Sequence, residues 1–514
     1  MYIILSVVIA LLALLGRRVF SYAHRAQYYW RRRGVPGPIG WPLLGNFYDV
    51  SDANFPRCFV LNKWTKMFGR TFGYMEGSVP TLVISDVAMV REMFGDFDSF
   101  HSRKLTNMIH GDVESVVEEP IVNLFIASGA RWKQARNFIS QVFMPKNIRL
   151  SENTVETSAV AMIDCINRKN LDDGINIHSF FQEFTYDVIC RIALGQPEPN
   201  LFGNGEISIV KGILLRSHRV LPWYLAVAFP TWQVYIKKMF YNHPNVRGED
   251  VGRLFAICRQ AVTARIAEKE ENLRNGIEHP VNDFIDEFLQ YHVDKIDEKS
   301  RDKQATTSDI IGACFVFLLA GFDTTANTLG YAAYLLAKNP KKMEIAQEEI
   351  NEFVGENVVT YNDTRNLSYV EAVIKEALRL YPVGYFACSR TCTETTTLGG
   401  IRVEKGTQVE VDMIAVHKDI ELWGENVNDF EPERWLQPGL KQADMPWFPF
   451  GGGRRQCVGR NLGMFESISA LAHVLRKYDL KIREKSEDEL HLLGCTSTSP
   501  EAVTLYLEPR RRRF

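Results

Sequence analysis

The chain has 514 residues, 46% hydrophobic and 24% charged, with 60 Lys and Arg against 62 Asp and Glu for a net charge of −2. That composition is globular: it excludes a disordered, collagenous or polytopic membrane chain, and the balanced charge gives no global case for nucleic acid as a partner. Nine scattered cysteines, an odd number, do not suit a disulfide framework, so a reduced, cytosol-facing protein is expected and each cysteine is core filler or a ligand.

The first element is a short apolar run, Tyr2 to Leu15, broken only by Ser6. It makes about 20 Å of helix, and extension through Val19 and Phe20 with snorkelling arginines completes a bilayer span. Arg17, Arg18, Arg25, Arg31, Arg32 and Arg33 follow, and no Asp or Glu precedes Asp49. Arginines behind the run keep the downstream body cytoplasmic. Without a basic n-region or a small-residue cleavage site, a cleaved signal peptide is disfavoured. Residues 1–22 are read as a transmembrane signal anchor, 23–48 as a basic, Pro-rich linker and 49–514 as the body. Val35 to Pro42 carries three prolines and two glycines, a stiff joint rather than a helix or central strand.

From residue 55 the chain reads as largely helical, with short strands at 81–84, 407–411 and 503–507. Trp132 and Arg136, at i and i+4, share a helix face. Residues 221–232 (LPWYLAVAFPTW) are apolar with two prolines, either core or a membrane-dipping flap near a substrate entrance. Residues 292–309 are polar and charged, a surface loop. Ser308 or Thr307 then caps a long helix reaching about Lys338, roughly 45 Å, whose middle from Ile310 to Gly321 is apolar on nearly every face and so buried. Inside it, Ala320-Gly321-Phe322-Asp323-Thr324-Thr325 is a poor local choice for a helix centre, and the helix can open there. Threonines back-bonding to the previous turn would account for the hydroxyls, but not for Asp323 in an apolar helix. Glu376 and Arg379, at i and i+3 in KEALRLYP, can pair.

The most informative stretch is FPFGGGRRQCVGR, residues 448–460. Cys457 sits in a glycine-rich turn just before an amphipathic helix, Leu462 to Arg476, where the helix dipole and free backbone N–H groups favour thiolate over thiol. No CxxC or His/Cys quartet lies nearby, which argues against structural zinc. A single thiolate beside two arginines suits haem, with sulfur on the axial site and arginine on the propionates.

Phe450, Gly453, Arg455, Cys457 and Gly459 match the FxxGxRxCxG signature, and with them the chain resembles the cytochrome P-450 family. The resemblance runs the whole length in family order: anchor, Pro-Gly-Pro joint, WxxxR, AGxDT, ExxR, PERW and cysteine loop. It is nearest the animal microsomal branch that oxidises steroids and xenobiotics and includes thromboxane synthase. The implied fold is mainly α with small β-sheets, an α+β class. The implied cofactor is haem b with Cys457 as axial ligand, cradled by Ala320, Phe450 and Gly459. Trp132, Arg136 and Arg455 would meet the propionates, with Arg103 and Arg390 as further ligands. Glu376, Arg379 and Arg434 would form a structural network, costly to break from one side. Thr324 would steady dioxygen and a water while Asp323 relays protons.

The family reaction inserts one oxygen atom of dioxygen into a C–H bond. The chain has no GxGxxG, so electrons would come from a separate NADPH-cytochrome reductase, a flavoprotein, with cytochrome b5 as a second carrier; Lys133 and Arg454 lie in segments that could face it. The implied location is the endoplasmic reticulum membrane, with the body in the cytosol. Suggested walls for a lipophilic substrate are 109–125, Phe315, Leu319, 383–386 and 495–498, which suits a steroid, fatty acid or xenobiotic. Two rivals stay open. One is an isomerase or dehydratase acting on a lipid peroxide without dioxygen, a type that often lacks the acid–alcohol pair. The other is a haem-binding protein without turnover.

Overall fold

The computed structural model describes residues 16–17, 24, 26–104, 123–294, 296–297, 304–439 and 445–510. The apolar run expected as an anchor, the wall segment 109–122 and part of the 292–309 loop lie outside them. The helices that build the site and its frame are α1 (Arg57–Phe68), α2 (Gly129–Val142), α3 (Glu152–Asn167), α4 (Ile177–Leu194), α5 (Ile207–Leu214), α6 (Leu221–Ala228), α7 (Gln233–Met239), α8 (Gly248–Arg274), α9 (Thr307–Lys338), α10 (Ser368–Leu380) and α11 (Arg460–Lys477). The strands used below are β1 (Thr71–Glu76), β2 (Val79–Ile84), β3 (Ile175–Asn176), β4 (Arg390–Thr391), β5 (Gln408–Val411), β6 (Tyr478–Lys481) and β7 (Thr504–Pro509). The architecture is α+β, helices dominating.

One sheet has the order β1-β2-β5-β4. Its β1–β2 hairpin is antiparallel, from Thr71 opposite Ile84 to Glu76 opposite Val79. β5 runs parallel to β2, Thr81 facing Gln408, and β4 closes the edge antiparallel to β5. A second sheet, β3-β7-β6, joins the C-terminal strand to the start of α4. The strands expected at 81–84, 407–411 and 503–507 are thus present.

The long helix α9 is the axis of the core. It starts at a capping box: Asp309 N–H donates to Thr306 Oγ1 at 3.2 Å, and Thr306 N–H donates to Asp309 Oδ2 at 3.0 Å. The cap is therefore Thr306, not Thr307 or Ser308, because only Thr306 has a carboxylate three residues on to reciprocate. At 32 residues α9 spans about 48 Å. It packs on α3's neighbour α4, on α8, α10 and α11. Gly321 permits the closest approach, since a Cβ there would sit 3.0 Å from Ile189 Cδ1 of α4. Among the described residues, α9 is the helix long and apolar enough to cross a membrane, and most of it is buried core.

Candidate haem site

The cysteine loop forms because glycine is required. Gly453 has φ 64°, and a Cβ there would lie 2.3 Å from Phe94 O, so a side chain is excluded twice over. The turn is closed by Gly451 N–H to Phe448 O at 2.8 Å, Gln456 N–H to Gly453 O at 3.1 Å and Cys457 N–H to Phe450 O at 2.8 Å. The Cys457 thiol receives the Gly459 N–H. It is ringed by protein yet open to solvent, because it forms the floor of a cleft of about 260 Å³ lined by Arg136, Ser140, Phe143, Gln456 and Val458. Burial pushes the thiol up, against the Gly459 N–H and the cations Arg103, Arg136 and Arg460. Without a metal, desolvation opposes the helix terminus at this sulfur, and a bound cation favours the thiolate.

Four guanidiniums crowd beside this loop. Ser102 and Thr391 form a bridge, with Thr391 N–H donating to Ser102 O at 2.9 Å, and this brings Arg103 and Arg390 together. Arg390 donates to Ala387 O, Ser389 O and Gly452 O at 2.8–3.1 Å. Arg103 Nη2 donates to Arg455 O at 2.8 Å. Arg455 donates to His101 O at 2.6 Å, to Phe125 O at 3.3 Å and to Ala127 O. Arg136 donates to Gln456 O at 2.8 Å. Every recorded partner is a neutral carbonyl, and no described carboxylate lies in ion-pair range of the four. Burial, with Arg390 and Arg136 as like charges, pushes Arg103 down to about 9; burial pushes Arg390 down to about 10 and Arg455 well below its ordinary value. Uncompensated buried cations are costly, and the two propionates of haem fit them. Trp132 is buried under the Arg455 guanidinium, 5.0 Å from its ring centroid, and tilted against Phe97. It therefore braces Arg455, while Arg136 reaches the cleft separately. Phe450 packs on Trp447, and Gly459 lies at the head of α11.

Helix α9 approaches the start of α11. Gly463 of α11 lies against Thr325, with a Cβ there 3.4 Å from its hydroxyl. Ala320 is exposed although it sits mid-helix, and Thr324, one turn on, is half-buried. Thr324 Oγ1 donates to Ala320 O at 2.7 Å. Asp323 is turned the other way, into the α4 side, where it meets Gln182 and accepts from Asn327 Nδ2 at 2.8 Å. Burial pushes its carboxyl up to about 6.

Behind the site, Glu376 accepts from Arg379 at 2.8 and 2.9 Å, from Arg434 Nε at 2.9 Å, from Trp435 Nε1 at 3.0 Å and from Glu431 N–H at 3.1 Å. Arg379 also donates to His417 O, Val427 O and Asp429 O. The network ties α10 to the 417–435 segment and carries no open coordination. Of the suggested walls, Phe315 is stacked on Phe255 at 4.0 Å and buried, whereas Phe125 stacks on Phe386 and Thr498 bonds Val383 O and Pro382 O. Lys133 and Arg454 are both exposed. Sequence reasoning missed Asn327, which the i, i+4 offset from Asp323 would have found.

An accessible thiol near a hydroxyl-bearing helix, between arginines that lack anions, defines a haem-thiolate protein. A family model for cytochrome P450 matches residues 35–504. Among Caenorhabditis elegans proteins provisionally named as cytochromes P450, cyp-13B1 is 51% identical over 507 residues, 98% of this chain and 99% of that one. CYP13A1 is 40% identical over 510 residues, 96% and 97% of the two chains, and CYP13A10 is 37% identical over 523 residues, 98% and 100%. The chain belongs to the cytochrome P450 family, oxidoreductases of the monooxygenase type that bind haem through a cysteine thiolate.

Proposed function

We propose that this chain is a monooxygenase inserting one oxygen atom of dioxygen into a lipophilic substrate (a steroid, fatty acid or xenobiotic), with electrons from NADPH through a separate flavoprotein reductase and cytochrome b5 as a second carrier. The observation that carries it is the acid–alcohol pair on α9: Thr324 keeps accessible surface, and Asp323 beside it is buried, its carboxyl pushed up to about 6. An acid poised near neutral pH can both accept and give up a proton, as proton delivery in a dry site requires. When bound, haem supplies the redox activation of dioxygen, which thiolate donation promotes.

In this reading Cys457 would ligate the haem iron, and Arg103, Arg136, Arg390 and Arg455 would hold the propionates, with Trp132 under Arg455. Ala320, Phe450 and Gly459 shape the cradle. Thr324 would turn its hydroxyl from Ala320 O toward the site, and Asp323, on the α4 side of the same helix, would hold a proton within its network with Asn327 and Gln182. Glu376, Arg379 and Arg434 hold the frame. Lys133 and Arg454 offer exposed positive charge on the side where a reductase would dock.

The 221–241 segment supports a position on the cytosolic face of the endoplasmic reticulum membrane. Trp232, Tyr235 and Met239 are 64, 67 and 72% exposed, beside exposed Leu221 and Phe229. Lys238 borders this apolar surface. Such a patch on a protein body suits insertion among headgroups. The test is turnover of a lipid, steroid and drug panel by holoprotein, reductase and NADPH under isotopic dioxygen. One labelled oxygen in the product supports the reading. Absence of NADPH-dependent product, or product formed from a lipid peroxide without NADPH, overturns it.

A further inference from the structure

We infer that His417 is a positioning residue for the haem ligand: through its imidazole it couples the Glu376 network to the loop that carries Cys457. The inference goes beyond the proposed reaction and rests on the reading of Cys457 as the ligand of the haem iron.

His417 ends the short helix Met413–His417 and is fully buried. Its backbone and its ring face two different parts of the molecule. His417 O accepts from Arg379 Nη1 at 2.9 Å, and Arg379 in turn is held by Glu376 at 2.8 and 2.9 Å. On the ring side, Phe448 N–H donates to His417 Nε2 at 3.1 Å. A backbone N–H can only donate, so Nε2 is the unprotonated nitrogen and Nδ1 carries the proton. Nδ1 lies toward the Arg379 backbone but makes no well-formed hydrogen bond. Burial, with the Arg379 cation, pushes the ring down to about 3. The imidazole therefore stays neutral and keeps its acceptor at neutral pH.

Phe448 is where this hold meets the ligand loop. Its carbonyl accepts from Gly451 N–H at 2.8 Å and from the buried Cys388 thiol at 3.3 Å. Phe450 is the third residue of the turn so closed, and its carbonyl receives the Cys457 N–H at 2.8 Å. The direction of the Phe450 carbonyl follows from where Phe448 is held, and the Cys457 backbone follows from Phe450. Arg390 fixes the far side of the turn through Gly452 O at 3.0 Å. The His417 ring is the recorded acceptor for Phe448 N–H. Without it, that N–H is left unpaired in a half-buried segment or the peptide must turn to find another partner. Metal ligands are oriented by hydrogen-bonded partners behind them, and loss of such a partner costs about ten- to a hundredfold in affinity. Glu376 and Arg379, which hold the frame, thus reach the ligand loop through one side chain.

The test is made on the holoprotein without NADPH, reductase or substrate. His417→Phe keeps a ring and removes the acceptor, whereas His417→Gln places a carbonyl oxygen close to where Nε2 stands. Three quantities are read: haem transfer to an apoglobin acceptor, the midpoint reduction potential, and the fraction of the reduced carbon monoxide complex that keeps the thiolate-type absorption band. His417→Phe is expected to lose haem about ten- to a hundredfold faster than the natural protein. Its potential should be higher and its thiolate fraction per bound haem lower, since a loosely held sulfur donates less to iron. His417→Gln should recover most of all three. A residue that only supports the fold would change haem loss and melting temperature, yet leave the potential and the band of the haem that stays bound unchanged. That result, or a Gln variant as perturbed as the Phe variant, overturns the inference while the ligand reading stands. Should His417→Phe hold no haem, His417→Asn, whose amide is too short to reach Phe448, is read in its place by the same criteria. A natural protein with no thiolate band, or a band that survives in Cys457→Ser, overturns the ligand reading and the inference with it.

Discussion

Glu376→Gln is the most decisive substitution for separating scaffold from chemistry. The carboxylate is fully buried and accepts from Arg379, Arg434, Trp435 and the Glu431 backbone, while Arg379 and Arg434 have side chains 0 and 9% exposed. Glutamine keeps the shape but removes the only counter-charge among the described residues, and its amide NH₂ faces donors. Removing one partner of a buried pair costs roughly 3–5 kcal/mol, and here two guanidiniums are stranded, so about 4 kcal/mol is a floor. Unfolding entropy of about 2 cal/mol/K per residue over the 470 residues from 35 to 504 gives ~1 kcal/mol/K. The Tm should then fall by about 4 °C or more at a fixed scan rate. Calorimetry reads the shift, and the carbon monoxide spectrum of the reduced protein reads haem retention. Trp435→Phe, which removes one neutral donor, should cost only about 1 kcal/mol. A Glu376→Gln protein with unchanged Tm and full haem would refute the structural role, and the same protein without turnover would make Glu376 part of the chemistry.

Arg390→Met should speed haem loss to an apoglobin acceptor while making the haem-free protein no less stable, because one repelling charge is gone; slower or unchanged transfer would count against the cradle. Asp323→Asn should slow product formation about 10²-fold with haem content intact, and equal rates would remove Asp323 from proton delivery. Glu466, buried on α11, is pushed up to about 8 by burial alone. The unfolded carboxyl ionises above its ordinary 4.5 while the folded one holds its proton to about 8, so stability falls as pH rises between those values. Glu466→Gln should abolish that fall and gain up to roughly 4 kcal/mol at pH 8, and parallel melting curves against pH would contradict it. Bromolipids in nanodiscs should quench Trp232 fluorescence, and an unquenched Trp232 would take the 221–241 patch off the membrane.

What could be read from the sequence follows the reach of each interaction. Cys457, Glu376, Arg379 and Thr324 were legible because their chemistry imposes spacing within one turn or one helix face. The Thr306 cap was legible too, through the reciprocating Asp309, but a polar run of three hydroxyl residues hid it. The side Asp323 faces was not, because Ala320 and Thr324 share one helix face at i, i+4 while Asp323 points about 100° away, and only the packing of α4 shows what waits there. The burial around Cys457 was not legible for a similar reason: a helix terminus is local, and desolvation belongs to the whole fold.

One physical criterion sorts the buried arginines of this chain. Arg379 and Arg434 meet Glu376 inside the fold, and Arg57 meets Glu76 and Glu410. These pairs are complete, so nothing external is needed to hold them, and they belong to the frame. Arg103, Arg136, Arg390 and Arg455 meet only carbonyls, which fix their positions without cancelling their charge. A chain that accepts that repulsion recovers it only when an anion binds, and the recovered free energy adds to the ligand's own affinity for the folded state. Haem should accordingly stabilise this fold more than its apolar contacts alone would, and the increment should shrink with each cradle arginine removed.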